Sequence, residues 1–168
     1  SKSNNIIVGA GSGNNNNLGN ALIIGQNSGV NYTGNVAFIL GHNAGHNVSG
    51  KFNMYIGQNT GGSSFGTKTG NHNLLVGPYS GYVLSSGNNN VIIGSGNSIT
   101  STGSNITIGN DNTLLGYLAG KSLQNGNYNT LLGSNAGTTL SSGVENLILG
   151  KDSAYNLTTG NQNVSLGT

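Results

Sequence analysis

The stretch "NTLLGSNAG" at 129–137 has near copies along the chain: "NTLLGYLAG" at 112–120, "NLILGKDSA" at 146–154 and "NMYIGQNTG" at 53–61. A compact core gives each segment different neighbours, so a phrase rewritten this often marks an array of equivalent units. The marker is an asparagine, three residues and a glycine, with an aliphatic residue before the glycine. The marking glycines are Gly9, Gly25, Gly41, Gly57, Gly77, Gly94, Gly109, Gly116, Gly133, Gly150 and Gly167. Three steps of 16 open this series, three of 17 close it, and steps of 20, 17, 15 and 7 lie between.

A second marker falls between these glycines, as "LSSG" at 84–87 and 140–143 and "LTTG" at 157–160. "YTG" at 32–34 and "VSG" at 48–50 are shorter versions. Each period therefore holds two extended segments and two turns, and glycine and asparagine suit turns because they tolerate positive φ. A period of 16–17 is too short for helix-pair repeats or a propeller blade. It fits one coil of a parallel β-solenoid, whose strands stack at about 4.8 Å per coil. About ten coils would make a rod on the order of 50 Å long. The opening asparagines are expected to form a ladder, each amide bonding its equivalent one coil away.

Composition narrows the function classes. Among 168 residues there are 31 glycines, only 5% are charged, and the formal net charge is +2. Low complexity does not keep a period, and glycine does not recur every third residue as in collagen. Five scattered lysines and no arginine make no basic patch, which argues against nucleic-acid binding. Without cysteine there are no disulfides or thiolate metal sites. No apolar run spans a bilayer, so this segment is not expected to insert in a membrane. No signal peptide precedes Ser1, and the chain is expected to be a mature or excised segment.

The strand columns suggest partners. The third column after the asparagine holds Val8, Ile56, Val76, Ile93, Ile108, Leu115, Leu132, Leu149 and Leu166, and is assigned to the coil's own core. The first column shares that face by alternation and includes Ile6, Met54, Leu74, Val91, Leu147 and Val164. The middle column points the other way, yet holds Ile7, Tyr55, Leu75, Ile92, Leu114, Leu131 and Ile148, with Thr107 and Ser165 as exceptions. A strand apolar on both faces is covered on both. Ile7, Leu75, Ile92, Leu114, Leu131 and Ile148 are therefore expected between chains of a homo-oligomer with cyclic symmetry.

"NTLLGSNAG" and "GNYNTLLG" resemble repeats in the heads of trimeric autotransporter adhesins. They are equally similar to repeats in tail-fibre and spike proteins of bacteriophages and large algal viruses. The resemblance spans essentially the whole chain and is clearest over 112–167. It implies a left-handed parallel β-roll, a side-by-side homotrimer, and an extracellular place on a cell or virion surface. That handedness comes from the resemblance alone; the usual crossover preference is right-handed. The period here exceeds that of the adhesin heads and is nearer the phage and algal-virus versions. The whole of 1–168 reads as a single repeat domain, with irregular coils near 58–77 and 95–116. The former carries an extra loop around "SSFGTKTG", and "NITIG" in the latter marks a truncated coil or short extra strand.

No catalytic constellation, cofactor motif or metal site is read. The only acids are Asp111, Glu145 and Asp152; Glu145 and Asp152 lie in adjoining stretches, where paired carboxylates would hydrolyse glycosides. Solvated turn residues are the better reading. His42 and His46 in "HNAGH" have a spacing that serves zinc on a helix, but here they fall on a turn, with His72 remote. "GAGSGNNNNLG" at 9–19 has neither a following helix nor a phosphate-loop lysine. Sequons occur at Asn31, Asn47, Asn105, Asn156 and Asn163. The position after each marking glycine varies most, and Tyr79, Tyr82, Tyr117 and Tyr155 are candidate platforms for sugar rings. The leading expectation is a non-enzymatic fibre segment for surface adhesion or host-receptor (glycan) binding. A structural filament growing through open solenoid ends is the alternative, and ice binding ranks below both because the outward turn column is irregular.

Overall fold

Each repeat phrase ends in short aliphatic runs that suit strands, followed by glycine and asparagine that force turns. The computed structural model describes residues 4–14, 19–62, 67–96 and 109–168. It is all β, with no helix among the described residues. The strands are β1 (Asn5–Val8), β2 (Ala21–Ile24), β3 (Ala37–Leu40), β4 (Asn53–Ile56), β5 (Leu74–Val76), β6 (Val91–Ile93), β7 (Thr113–Leu115), β8 (Thr130–Leu132), β9 (Ser142–Val144), β10 (Leu147–Leu149), β11 (Thr159–Asn161) and β12 (Val164–Leu166). Ten of them form one sheet in chain order, while β9 and β11 pair on a second wall. Every pairing is parallel. Neighbouring strands joined by one circuit of chain make a parallel β-solenoid of about eight turns.

The turn count is below the ten or so expected, and one stretch shows why. β6 pairs directly with β7, so Gly94 to Gly116 is a single step of 22 residues, not a coil of 15 and another of 7. Gly109 belongs to a different column, that of the second turn. A side chain on Gly87 would strike the Gly109 carbonyl, as one on Gly70 would strike that of Gly87. The "NITIG" segment, Ile108 included, lies outside the described residues apart from Gly109.

The two strand faces are exchanged relative to the sequence expectation. The middle column is the core: Ile23, Ile39, Leu75, Ile92, Leu114, Leu131 and Ile148 have no exposed surface, and Tyr55 has almost none. They meet small or aliphatic residues from the rest of the circuit, among them Ala44, Val48, Ala119, Leu123, Ala136 and Leu140. Ile7 is in register with Ile23 but stays exposed at the first strand. The third column faces outward. Val8, Leu115 and Leu166 are exposed, and Ile56, Val76, Ile93, Leu132 and Leu149 are half-buried. Alternation supplies the physical reason. The opening asparagines Asn53, Asn73, Asn90, Asn112, Asn129 and Asn146 are buried, and with a period of two an inward asparagine puts the second residue after it inward too.

Glycine is required where the coil leaves the sheet. Gly133 has φ of 138°, and an added Cβ would collide with the Gly150 carbonyl of the next coil. Alanine there would be strained in its backbone and blocked in space at once.

Candidate interaction surface

The sheet corner is set by two asparagine ladders. In the inner one, Asn73, Asn90, Asn112, Asn129, Asn146 and Asn163 each donate from Nδ2 to Oδ1 of the equivalent residue one coil earlier, at 2.8–3.3 Å. That same Oδ1 accepts the backbone N–H of the next asparagine, at 2.9–3.1 Å. The second Nδ2 proton goes to a second-turn glycine carbonyl; Asn112 reaches Gly126 O at 2.8 Å. From Asn73 to Asn146 each amide thus joins three backbone or side-chain groups in a dry corner, as the expected ladder requires. The outer ladder, Asn71, Asn88, Asn110 and Asn127, has the opposite polarity: the earlier residue donates to the later one's Oδ1.

The inner ladder begins at Asn53, because the equivalent positions in β2 and β3 are Ala21 and Ala37. Tyr32 takes over there. Its ring is fully buried and its Oη donates to Gly50 O at 3.0 Å, the carbonyl an asparagine at 37 would reach. Burial pushes its phenol up to about 12. Sequence reading missed this role, although "AFIL" in place of an asparagine-led phrase was its visible sign.

A second departure lies one coil further on. Lys68 pairs with Val48 and turns inward at 3% exposure, in a column that Leu84, Leu123 and Leu140 fill elsewhere. Its Nζ donates to His46 O at 3.0 Å, and burial lowers its pKa to about 8. His46 Nδ1 is buried without a hydrogen-bond partner; burial first, and then the Lys68 charge, lowers the His46 pKa.

The other candidate residues are dispersed. Glu145 and Asp152 stand at opposite ends of β10. Glu145 accepts from Gln162 Nε2 at 2.9 Å. Asp152 accepts from Asn135 Nδ2 and pairs with Lys151, each at 2.8 Å; the Lys151 hydrogen bond, then that of Asn135, holds its carboxyl below the usual range. Asp111 accepts from Asn89 Nδ2 at 3.0 Å. Among the described residues no three metal-capable side chains gather, with His42 exposed on the turn after β3 and His72 at the sheet corner. Tyr79 and Tyr82 form a tilted pair at 5.4 Å, whereas Tyr117 and Tyr155 are exposed singly on other coils. Sequons Asn31, Asn47 and Asn156 share one coil position, six residues after the strand glycine. Asn163 belongs to the inner ladder, and Asn105 lies outside the described residues.

What remains continuous along the rod is the outward face of the ten-stranded sheet. Two aliphatic columns run along it. The first includes Ile6, Leu22, Phe38, Met54, Leu74, Val91, Leu147 and Val164, with Thr113 and Thr130 as its polar members; the third includes Ile24, Leu40, Ile56 and Leu132. Leu40 is 38%, Met54 39% and Leu115 42% exposed, against 3% or less for Ile39, Tyr55 and Leu114 beside them. No helix among the described residues is long and apolar enough to cross a membrane. No family model, curated protein or solved structure matches the chain.

Proposed function

We propose that this chain is a non-enzymatic segment of an extracellular fibre, acting in surface adhesion or host-receptor attachment as a side-by-side homotrimer. The supporting observation is the outward apolar face, a rod-long stripe of side chains larger than the isolated patches of a typical soluble monomer. A neighbouring copy has the same coil-by-coil spacing and so meets that stripe along its whole length. The interface then belongs to the first and third columns, not to Leu75, Ile92, Leu114, Leu131 and Ile148, which already fill the coil. With those faces turned together, the variable turns bearing Tyr79, Tyr82, Tyr117 and Tyr155 are displayed outward in several copies. Weak glycan contacts repeated on each chain then add to firm attachment. Light scattering coupled to size exclusion tests the assembly, and a glycan array tests the ligand class. A trimer that binds glycans is expected. A monodisperse monomer removes the reading, and micrometre-long filaments by electron microscopy replace it with end-to-end polymerisation.

A further inference from the structure

The coil keeps the asparagines and glycines of this chain apart. The inner ladder sets each asparagine at the head of a strand, and the glycine that closes that strand follows an aliphatic residue. In a chain so rich in both residues, random order would join them repeatedly. Yet an asparagine directly precedes a glycine only once, at Asn125–Gly126. That pair is chemically labile. A backbone nitrogen reaches the preceding asparagine's side-chain carbonyl most easily when its own residue has no Cβ to obstruct the approach. Ring closure of this kind is why asparagine counts among the thermolabile residues.

Packing fixes Gly126 but not Asn125. Gly126 is buried on the second turn, where a side chain would strike Leu123, the Asn129 amide and the Gly143 carbonyl. The same turn glycine in other coils is preceded by Thr33, Ser49, Thr69, Ser86, Ser142 or Thr159. Asn125 stands where those coils have serine or threonine, and it is exposed. The attacking nitrogen is not held back either: among the described residues the Gly126 N–H finds no acceptor. Other asparagines followed by a small residue are different. After Asn27, Asn43 and Asn135 the next N–H is tied to a strand-closing glycine carbonyl, as Ala136 N is to Gly133 O at 3.3 Å.

We infer that Asn125 is a site of spontaneous deamidation, with water as the only co-reactant. The Gly126 nitrogen bonds to Asn125 Cγ and gives up its proton, ammonia leaves from the side chain, and a five-membered succinimide forms. Water then opens the ring at either carbonyl. One product is aspartate. The other is isoaspartate, in which the main chain runs through the former side chain and is one methylene longer. Either product adds a carboxylate to a chain with only three acidic side chains. Isoaspartate also displaces Gly126, whose carbonyl accepts the inner-ladder amide of Asn112 at 2.8 Å. It moves the Asn125 carbonyl too, which accepts from Nδ2 of the outer-ladder Asn127 at 3.2 Å. The reaction therefore loosens both ladders at one coil and gives a regular rod a single ageing point. The inference is independent of the fibre reading and of how copies assemble.

The test ages the purified wild-type chain for weeks at body temperature and mildly alkaline pH, then maps its peptides by mass spectrometry. A gain of about 1 Da confined to Asn125 is expected, with isoaspartate detected by enzymatic methylation from S-adenosylmethionine. Asn125→Ser carries the residue found at the matching position of the next coil. It should stay unmodified and keep its fold by circular dichroism. The isoaspartyl fraction of the aged chain, separated by ion exchange, should melt below Asn125→Asp, which has the charge without the longer backbone. If Asn125 stays intact in the folded chain while the urea-unfolded chain deamidates there, the fold protects the site and the inference is overturned. Deamidation spread evenly over the exposed asparagines overturns it as well. An isoaspartyl fraction that melts together with Asn125→Asp overturns the link to the ladders.

Discussion

Lys68 is a charged side chain in a column that other coils fill with leucine, and its depressed pKa gives stability a pH dependence of definite sign. The folded chain releases the ammonium proton near pH 8 and the unfolded chain near 10.5. Between those values the unfolded state binds more protons, so stability rises with pH through that window and is lost as pH falls through 8. The gain is on the order of 3 kcal/mol. Tyr32 acts in the opposite direction above its ordinary 10, since its folded phenol holds the proton up to about 12. The melting temperature is therefore expected to climb from pH 7 to about 10 and fall beyond. In Lys68→Met the climb should vanish and the melting temperature at pH 7 should rise, as followed by circular dichroism. A wild-type profile flat from pH 7 to 10 would place Lys68 in solvent. Core assignment is tested at the same scale. Leu131→Asp puts an unpaired carboxylate between Leu114 and Ile148 and should cost several kcal/mol, enough to unfold the chain. Leu132→Asp lies on the half-buried outward face and should leave the strand signal intact, and equal melting of the two variants would contradict the register.

At the scale of the element, the inner ladder couples one coil to the next through buried amides. Asn112→Ala removes the acceptor of the Asn129 N–H and the donors to Asn90 Oδ1 and Gly126 O. Stranding buried polar groups costs about 1–3 kcal/mol each, so a fall in melting temperature well beyond that of an exposed site such as Asn89→Ala is expected in thermal melts. Equal falls would mean that water substitutes freely at the ladder. The period, the two turns and the ladder were all legible in "NTLLG", because backbone geometry and amide chemistry repeat with the coil. The facing of the strand is less legible, because hydrophobicity is nearly uniform along strands such as Leu74, Leu75 and Val76 or Leu147, Ile148 and Leu149 and cannot distinguish two apolar faces. The signal that does distinguish them is Asn129 itself. Once its amide is placed inside, alternation puts Leu131 inside and Leu132 out. Tyr32 and Lys68 were illegible for another reason. Each acts by replacing a residue of a neighbouring coil, which shows only when the coils are stacked.

At the scale of the whole molecule, the outward face of the sheet stays open along the described coils. If the first and third columns meet another copy, mass action makes stability depend on protein concentration. The melting temperature should rise with concentration in the wild type and become independent of it in Leu115→Lys/Leu149→Lys. That variant should keep its β signal and elute as a monomer, because both positions lie outside the filled coil. A melting temperature insensitive to concentration in the wild-type chain would argue against association through this face. The candidate ligand residues are less legible at any scale. Tyr117 and Tyr155 sit on separate coils, and only Tyr79 with Tyr82 forms a local pair.

The parallel strands, each bonded to the next coil along the rod, also decide how the chain responds to load. A pull along the rod axis lies along the interstrand hydrogen bonds, so they open one row at a time instead of shearing together. Each coil that peels away releases 16–22 residues, roughly 50–80 Å of contour, in exchange for about 4.8 Å of rod. A single chain stretched from its ends would thus yield in a sawtooth whose spacing follows the coil lengths, lengthening about tenfold before it is fully drawn out. The solenoid is a folded tether, able to absorb a tug in small instalments while the coils still stacked keep their shape.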